Sequence, residues 1–326
     1  MLKKYVIGID VGGTNTRIGK INSNGEVLES KMLKTSQYRD VTIFFGDMIQ
    51  VIKNMMGNNK DSFLGIGMGA PSVNEQNQAI VYPANLNWNG SLDIVYELRE
   101  IFSVPVKLTN DANLLVLAHQ QFDHTSLSDF FVVTLGTGVG AGICCNGSLL
   151  KGKEGFAGEL GHVIVQDSGR SCSCGRKGCL ETYVSANGLI RTVQSLIAQY
   201  INYKGSLLDL PVCDLTAKMI AELAITGDEI ATKAFNFTGQ ILGKALANMV
   251  ALFNPELIYL AGGLTHADQL LLLPTRKSLQ ANLLNVYSDQ ILIENSKFKD
   301  AEGAVLGASV LIWRLNDSKF GINKYL

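Results

Sequence analysis

The sequence predicts an α/β protein in which one strand-rich unit occurs twice. The first copy begins with a predicted strand from Tyr5 to Asp10, which leads into the glycine turn GGTNTR at 12–17. The second copy begins with a predicted strand from Phe130 to Leu135, which leads into the glycine turn GTGVGAG at 136–142. In each copy another strand follows the turn and ends at an Asn-Gly hairpin signal. The same order at two distant places predicts a duplicated domain, not a solenoid of short repeats.

Composition and charge agree with a compact α/β protein and disfavour several other classes. The chain has 326 residues, enough for two lobes, and its 33 glycines against six prolines favour tight turns over disorder. A net charge of −1 predicts no nucleic-acid partner and no membrane-surface partner. Polar residues interrupt the longest apolar stretch, 241–264, and Asp10 interrupts the apolar segment that follows Lys3 and Lys4. We therefore expect neither a membrane span nor a secretion signal.

The remaining elements follow from local signals. A helix is predicted from Asp40 to Met55, and a longer one from a cap at Asp228 to Phe253, where Asn254 and Pro255 stop it. A third helix is predicted over 301–315. Short strands are predicted at 64–68, 106–109 and 258–260. No low-complexity linker is present, so we expect short hinges between the lobes.

Both glycine turns are candidate phosphate-binding loops. Glycine lets backbone N–H groups approach phosphate oxygens closely, and a neighbouring hydroxyl group adds a donor. Neither turn matches the dinucleotide fingerprint, whose glycine turn leads into a helix. Simple turn formation is the alternative for each loop taken alone. Asp10 at the end of the first strand can hold Mg²⁺ through water. The candidate loop residues are Gly12, Gly13 and Thr14, and then Thr137 and Gly138.

The segment TNDANLL at 109–115 supplies a candidate general base. Phosphoryl transfer to an alcohol needs a carboxylate that accepts the hydroxyl proton, and Asp111 follows a predicted strand at the start of a helix. The alternative is that Asp111 only caps this helix. Asn110 beside it can project into a cleft. Asn85 offers an amide to a polyol, and Trp88 either packs beside it or fills the core.

A cysteine-rich segment predicts a metal site. Cys172, Cys174 and Cys179 lie in the run CSCGRKGC, and His162 lies upstream. Three Cys and one His form a common closed tetrahedral set for structural Zn²⁺, and the two glycines of the run allow the tight turns that the set needs. The alternative is a disulfide or ordinary buried thiols, although Cys172 and Cys174 are too close in sequence to pair comfortably.

Two carboxylates, Glu159 and Glu181, frame these metal ligands and predict a polar ligand site beside the metal. The other cysteines, Cys144, Cys145 and Cys213, are expected to fill the core. This use of cysteine suits the reducing cytosol better than a disulfide scaffold, so we expect a cytoplasmic protein. Three histidines lack acidic or cysteine neighbours at ligand spacing and are expected to be surface or satisfied polar groups: His119, His124 and His266.

Taken together, these motifs resemble the ROK family (repressors, open reading frames and sugar kinases), and the chain looks like a glucokinase-like member. The resemblance covers essentially the whole chain, from GIDVGGT through GMGAP, NLNW, NDAN, LGTGVGAGI, AGELGH and CSCGRKGCLE to LAGGL. It implies a duplicated ribonuclease-H-like (actin/hexokinase-type) fold with two lobes around a cleft. The expected lobes are 1–115 plus 303–326, and 116–302 with the zinc motif.

The resemblance also implies roles for individual residues. Asp111 would be the general base, and the sugar hydroxyls would be bound by Asn85, Asn110, Asp111, Glu159, His162 and Glu181. Structural Zn²⁺ would be held by His162, Cys172, Cys174 and Cys179. The nucleotide would be bound by Asp10 through Mg²⁺, by Gly12, Gly13, Thr14, Thr137 and Gly138 at the phosphates, and by Gly262 and Gly263 at the adenosine.

The implied activity is ATP-dependent phosphorylation of a hexose, with glucose as the expected substrate and a homodimer as the expected assembly. Ser72 follows Pro71 where glucokinase-like members usually have glycine, so N-acetylglucosamine, N-acetylmannosamine, mannose, fructose and allose stay open. A non-catalytic sugar sensor is the alternative outside the enzymes. Family repressors carry an additional N-terminal helix-turn-helix domain, which we do not expect here because the first strand begins at Tyr5.

Overall fold

The architecture comes from a computed structural model, which describes residues 4–57, 60–81, 86, 88, 91–123, 126–200, 203–208, 210–211, 214–287, 291–298 and 300–316. The strands are β1 Tyr5–Val11, β2 Thr16–Asn22, β3 Val27–Leu33, β4 Phe63–Ala70, β5 Val73–Asn74, β6 Ala79–Val81, β7 Ser91–Leu92, β8 Val106–Asn110, β9 Phe130–Leu135, β10 Val139–Cys145, β11 Ser148–Leu149, β12 Leu257–Ala261 and β13 Leu292–Asn295. The helices are α1 Val41–Met56, α2 Ile94–Phe102, α3 Asp111–Phe122, α4 Glu181–Val184, α5 Ala186–Gln199, α6 Ala217–Ile225, α7 Glu229–Phe253, α8 Gln269–Asn282 and α9 Asp300–Asn316.

The chain divides into two compact units. Unit 1 comprises Met1–Ser126, Leu149–Ala157 and Phe298–Leu326, and unit 2 comprises Leu127–Ser148 and Gly158–Lys297. Helix α3 belongs to unit 1 as a whole because it packs against α9. The predicted lobe boundary after residue 115 falls inside α3, whereas the first unit boundary falls after this helix.

Each unit is built on a five-stranded sheet with the same topology. The strand order is β3-β2-β1-β4-β8 in unit 1 and β11-β10-β9-β12-β13 in unit 2. In both sheets the first two strands of the unit pair antiparallel, and the later strands pair parallel to the first. The parallel strands end at one edge of the sheet, which also carries the glycine turn. The predicted α/β class and the duplication are therefore confirmed.

Apolar side chains cover both faces of the sheet in unit 1. Alternate residues of β1 point to opposite faces, as the period of a strand requires. Ile7 and Ile9 pack in the cluster that contains α1 and α2, whereas Val6 packs in the cluster that contains Val305 of α9. The sheet is therefore held between two helical layers, and its carboxyl edge is left to polar residues.

Several element ends follow the predicted local chemistry. Asp40 accepts a hydrogen bond from the Thr42 N–H at the start of α1, and Asp228 accepts one from the Ala231 N–H at the start of α7. Helix α7 ends at Phe253 because Asn254 adopts a left-handed conformation with φ of 46°. Within the part of the chain that the structure describes, none of the helices is long and apolar enough to span a bilayer.

Candidate functional site

In unit 1 the sheet brings three strand ends together. Asp10 of β1 pairs in register with Gly69 of β4, and Ala70 of β4 pairs in register with Asn110 of β8. Because these strands are parallel, their carboxyl ends share one edge. Two carboxylates, Asp10 and Asp111, therefore lie in the same neighbourhood although 100 residues separate them in the chain.

The two carboxylates interact electrostatically. Burial, and then the charge of Asp111, raise the pKa of Asp10 from 3.8 to about 7, although Arg17 opposes the shift. A carboxylate that is costly to ionise becomes favourable to ionise when a divalent cation binds beside it. The pair is therefore suited to hold a hard cation such as Mg²⁺ through oxygen atoms.

Asn110 and Asp111 share the start of α3. Asn110 is the N-cap residue, and its side chain accepts the Ala112 N–H at 3.0 Å. Asp111 lies in the first turn and accepts the same N–H at 2.8 Å through Oδ1. Its side chain is exposed. Asn110 is therefore the main capping residue of α3. The carboxylate of Asp111 lies exposed at the surface of unit 1.

The first glycine loop connects β1 to β2. The Gly12 N–H donates to the Asn15 carbonyl at 3.0 Å, and the Thr14 carbonyl accepts the Ser36 N–H at 3.2 Å. Thr14 itself is exposed. Arg17, just after the loop, has a buried Nε that finds no acceptor among the residues described. The Arg17 Nε is therefore a donor beside the loop from which an anionic group could accept a hydrogen bond.

In unit 2 the four predicted metal ligands form one cluster. One ligand atom from each of His162, Cys172, Cys174 and Cys179 lies within 4.8 Å of all the others. Cys172 Sγ lies 3.7 Å from His162 Nδ1, and Cys174 Sγ lies 3.6 Å from Cys179 Sγ. Tetrahedral Zn²⁺ with bonds of about 2.3 Å would place two sulfur atoms about 3.8 Å apart. A disulfide needs about 2.05 Å, and the three cysteines are free, so the ligand set fits zinc.

The charges of the cluster also favour a bound cation. Burial would raise the pKa of Cys174, but hydrogen bonds with Arg176 and with the neighbouring thiols lower it to about 6. Burial and the two neighbouring thiols raise the pKa of Cys179 to about 12. The three sulfur atoms cannot all be thiolates at neutral pH unless a metal ion balances their charge.

The segment AGELGH lies directly on β10. A Cβ atom on Gly158 would come within 2.1 Å of the Ala141 carbonyl oxygen, and one on Gly161 within 2.1 Å of the Val139 carbonyl oxygen. Only glycine permits this contact at either position. The close contact with β10 therefore fixes the backbone on either side of Glu159 and immediately before His162, which is one of the four clustered residues.

Glu181 has a partner that the sequence did not reveal. Its Oε2 accepts the Val139 N–H at 3.0 Å, directly after the second glycine loop. A Cβ atom on Gly138 would lie only 2.6 Å from the same oxygen. The Gly136 carbonyl in this loop also accepts the Ala186 N–H at 2.9 Å. Glu181 therefore connects the end of the cysteine segment to the candidate phosphate loop.

Arg170 is a second residue that sequence reasoning missed. Its guanidinium group donates to the carbonyls of Thr182 and Gly188 and to the Thr192 hydroxyl, at 2.9–3.0 Å. It also lies over the ring of Tyr183. Three acceptors and an aromatic ring suit the planar fork of arginine. Arg170 thus ties the cysteine segment to α4 and α5; its position two residues before Cys172 was the only signal in the sequence.

The turn after β12 lines a pocket within unit 2. Gly262 has φ of 96°, and a Cβ atom there would lie 2.5 Å from the Leu135 carbonyl oxygen. Gly263 begins a short 3₁₀ helix, which with α6 lines a pocket of about 400 Å³. A larger groove of about 670 Å³ between α7 and α8 contains none of the predicted site residues. Of the two residues of the predicted adenosine loop, Gly263 lines the smaller pocket, and Gly262 precedes it in the chain.

The comparison with known proteins decides the family. The sequence pattern of the ROK family matches residues 6–314. The chain belongs to the ROK family. It is 32% identical over 298 residues to the glucokinase of Halalkalibacterium halodurans, covering 89% of each chain. It is 29% identical to the xylose repressor of Caldicellulosiruptor bescii, covering 94% of this chain and 77% of that one.

A solved ROK structure supports the same assignment. A ROK family glucokinase from Streptomyces griseus, in complex with glucose and AMPPNP, has a TM-score of 0.82 and 26% identity. The match covers 95% of this chain and 99% of that chain. The predicted actin/hexokinase-type fold is thereby confirmed. The ROK relatives include both sugar kinases and transcription repressors.

Three further predictions for this ROK protein concern Asn85, Trp88 and His119. Asn85 lies outside the described residues. Trp88 is buried and packs against Phe44, with ring centroids 4.7 Å apart, so it is part of the core. His119 is a satisfied polar group, as expected, but the expectation that it has no acidic neighbour was wrong. The carboxylate of Asp123, one helical turn further along, accepts a hydrogen bond from the His119 Nδ1–H at 2.7 Å, and both side chains are buried.

Proposed function

We propose that this ROK protein transfers the γ-phosphoryl group of ATP to the primary hydroxyl group of a hexose, and that the hexose is glucose. The observation that carries the proposal is the placement of Asp111. It is an exposed carboxylate in the first turn of α3, close enough to Asp10 to raise the pKa of that group. A proton acceptor beside a cation-binding carboxylate is what phosphoryl transfer to an alcohol requires.

Asp111 would accept the hydroxyl proton as the oxygen attacks the phosphorus. Asp10 would hold Mg²⁺, which when bound spreads the charge that develops on the phosphoryl group. Asn110 would orient the sugar next to the base. The further contacts with sugar hydroxyl groups are assigned to Asn85, Glu159, His162 and Glu181.

The nucleotide contacts follow from the loops. Gly12, Gly13 and Thr14 in unit 1, and Thr137 and Gly138 in unit 2, would donate to phosphate oxygens. The pocket of about 400 Å³ beside Gly263 has the size for a purine base and lies next to Gly262. An apolar wall from α6, including Ala221 and Ile225, supports stacking of a flat ring.

Zn²⁺ would have a structural role. His162, Cys172, Cys174 and Cys179 would occupy all four positions, so the ion would activate no water. It would hold His162 and the turn before Glu181 in a fixed geometry. Arg170 supports the same turn from the side of α5.

Glucose is proposed because the relatives named glucokinase cover most of this chain. Ser72 is the departure that bears on this choice. It has φ of 55°, a conformation that favours glycine, and its carbonyl accepts the Val81 N–H at 2.8 Å. The turn keeps its glycine-like backbone but gains a hydroxymethyl group, which can change selectivity among hexoses.

The test is ADP release with ATP, Mg²⁺ and a panel of sugars: glucose, N-acetylglucosamine, N-acetylmannosamine, mannose, fructose and allose. We expect the highest kcat/KM for glucose. Asp111→Asn should lower it by at least about 100-fold because the proton acceptor is lost. Glu97→Gln, which changes an exposed carboxyl group in the first turn of α2, is the matched control and should leave it unchanged.

Two results would contradict this proposal. If Asp111→Asn keeps full turnover, Asp111 is not the general base. No ADP release by the wild type with any sugar, together with sugar binding in calorimetry, would favour the second candidate, a non-catalytic sugar sensor. The similarity to a xylose repressor is the observation that keeps this candidate open.

A further inference from the structure

A second feature of unit 1 lies directly behind the candidate base. The hairpin from Ser72 to Val81, formed by β5 and β6, contacts β8, and residues 151–155 contact the hairpin at Glu75. We call these two segments the β8 clamp. Two of its residues, Ser72 and Gln78, have positive φ values of 55° and 51° although neither is glycine. Such strain persists only where the surrounding contacts compensate for it, and it often marks a functional region.

Gln78 completes the hydrogen bonding of an edge strand. Among the residues that the structure describes, β8 is the last strand of its sheet, and no further strand pairs with its outer side. The Gln78 side chain fills this place, since its Oε1 accepts the Leu108 N–H at 2.9 Å and its Nε2 donates to the Leu108 carbonyl at 3.0 Å. The strained backbone of Gln78 is therefore offset by two hydrogen bonds that hold β8 two residues before Asn110.

Glu75 holds the next residue of β8. Its Oε1 accepts a hydrogen bond from the Thr109 hydroxyl, and its Oε2 pairs with Lys151 Nζ at 3.2 Å. The Glu75 carboxylate is only 11% exposed, so this pair is screened less than a surface pair. The Glu75 N–H donates to the Glu154 carbonyl at 3.0 Å, which fixes its backbone as well.

Thr109 connects Glu75 to α3 through a hydrogen bond with Asn113. Its hydroxyl oxygen, which donates to Glu75, also accepts from Asn113 Nδ2 at 3.2 Å. Thr109 and Asn113 are both buried and lie on either side of Asn110 and Asp111. The two residues that carry the candidate chemistry are thus bracketed by one continuous hydrogen-bonded chain that starts at Lys151.

We propose that Glu75, with Lys151 as its counterion, is a positioning residue that fixes the orientation of Asp111 through Thr109 and Asn113. The proposal rests on the proposed function, in which Asp111 is the general base. Misplacing a reacting group by about 1 Å can cost about 100-fold in rate. Loss of the clamp should therefore lower kcat more than it raises KM, because the proposed sugar contacts of Glu159, His162 and Glu181 lie outside the clamp.

The kinetic test compares Glu75→Ala, Glu75→Gln and a matched control. Glu154→Gln is the control, because Glu154 uses only its backbone in the clamp and its side chain is part of an exposed pair with Lys153. We expect kcat to fall about 10- to 100-fold in Glu75→Ala. Glu75→Gln should retain more activity, since its amide oxygen still accepts the Thr109 hydroxyl. Equal kcat in Glu75→Ala and Glu154→Gln would overturn the proposal, as would equal loss in both Glu75 variants with KM raised in parallel.

Hydrogen exchange separates this proposal from the proposed function. The Ala112 N–H is held by the side chains of Asn110 and Asp111, so its exchange reports their geometry without any turnover. The peptide that covers 108–115 should exchange faster in Glu75→Ala than in Glu154→Gln. If the wild type releases no ADP with any sugar, the proposed function fails. The exchange rate of this peptide then still tests whether Glu75 fixes the geometry at Asp111. Unchanged exchange in Glu75→Ala and Glu75→Gln would refute it.

Discussion

The two units share a sheet topology but differ in the chemistry at the carboxyl edge of the sheet. In the first hairpin Asp10 pairs with Arg17, and in the second hairpin Thr134 occupies the matching position and pairs with Gly140. The first edge therefore carries a titratable carboxylate, with Asp111 nearby. At the second edge the Thr134 hydroxyl is used within the hairpin, through hydrogen bonds to the backbone of Gly140.

The second edge is instead organised by contacts from outside its sheet. Glu181 holds the Val139 N–H after the glycine loop, and the metal cluster holds the segment that leads to Glu181. The two units thus keep the same strand order, whereas single side chains determine which polar groups lie at the carboxyl edge of each sheet. Unit 1 carries the two carboxylates proposed for the cation and the proton, and unit 2 carries the glycine loop and the four residues that could hold a metal ion.

The largest expected effect comes from exchanging the two matching residues. Asp10→Thr gives the first edge the residue of the second, and we expect kcat/KM for sugar phosphorylation to fall about 1000-fold, because the cation-binding carboxylate is lost. Thr134→Val is the paired control in unit 2 and should change kcat/KM by less than about threefold, since it removes only hydrogen bonds within the hairpin. ADP release measures kcat/KM in both variants. A similar fall in kcat/KM for Asp10→Thr and Thr134→Val would contradict the proposed difference between the two sheet edges.

Metal removal should affect unit 2 selectively. Metal analysis of the wild type should find about one zinc per chain. The double variant Cys174→Ala, Cys179→Ala should lose the zinc and reduce the free energy of unfolding of unit 2 by about 4 kcal/mol or more. Limited proteolysis should then cut first between 160 and 190. Retention of zinc in the double variant, or first cleavage within unit 1, would contradict this assignment.

Asp10 should give unit 1 a distinct pH dependence. Its pKa is raised from 3.8 to about 7 in the folded state, so its contribution to stability is fully present below pH 4 and is lost as the pH rises through 7. Without divalent cations, Asp10→Asn should therefore be more stable than the wild type at pH 8, by about 4 kcal/mol, and the difference should shrink to about 1.5 kcal/mol at pH 5. Urea unfolding at both pH values measures it. A constant difference would show that burial does not shift this carboxyl group.

The smallest expected effect on stability concerns the turns that follow β4 in unit 1 and β12 in unit 2. Ser72 in unit 1 has φ of 55°, and Gly262 in unit 2 has φ of 96°. Ser72→Gly should stabilise the protein by about 0.5–1 kcal/mol, because glycine relieves a left-handed conformation. Ser72→Ala is the control and should give no gain. The reverse change, Gly262→Ser, should destabilise by more than 1 kcal/mol, since a Cβ atom would also meet the Leu135 carbonyl oxygen at 2.5 Å.

Much of the fold was predictable because its signals are local. The cap at Asp228 and the stop at Asn254 bound α7 as the sequence indicates, and the glycine turns lie between paired strands in both units. The metal ligands were also predictable, since three of the four lie in one short run. His119 and Asp123 show that a local signal can still be overlooked, because their spacing of four residues places both on one face of α3.

The sequence by itself determined the repeated strand–turn–strand order and the ends of α1 and α7, because these signals lie within one or two turns of chain. It also identified the four residues that cluster in the structure. The role of Asp111 as the general base stays a prediction. Only the tertiary structure decided which of these groups meet. Glu75 reaches Thr109, 34 residues away, and Glu181 reaches Val139, 42 residues away. The raised pKa of Asp10 likewise depends on burial and on Asp111. Contacts and dielectric surroundings of this kind arise only when distant strands pair and pack, so no local pattern encodes them.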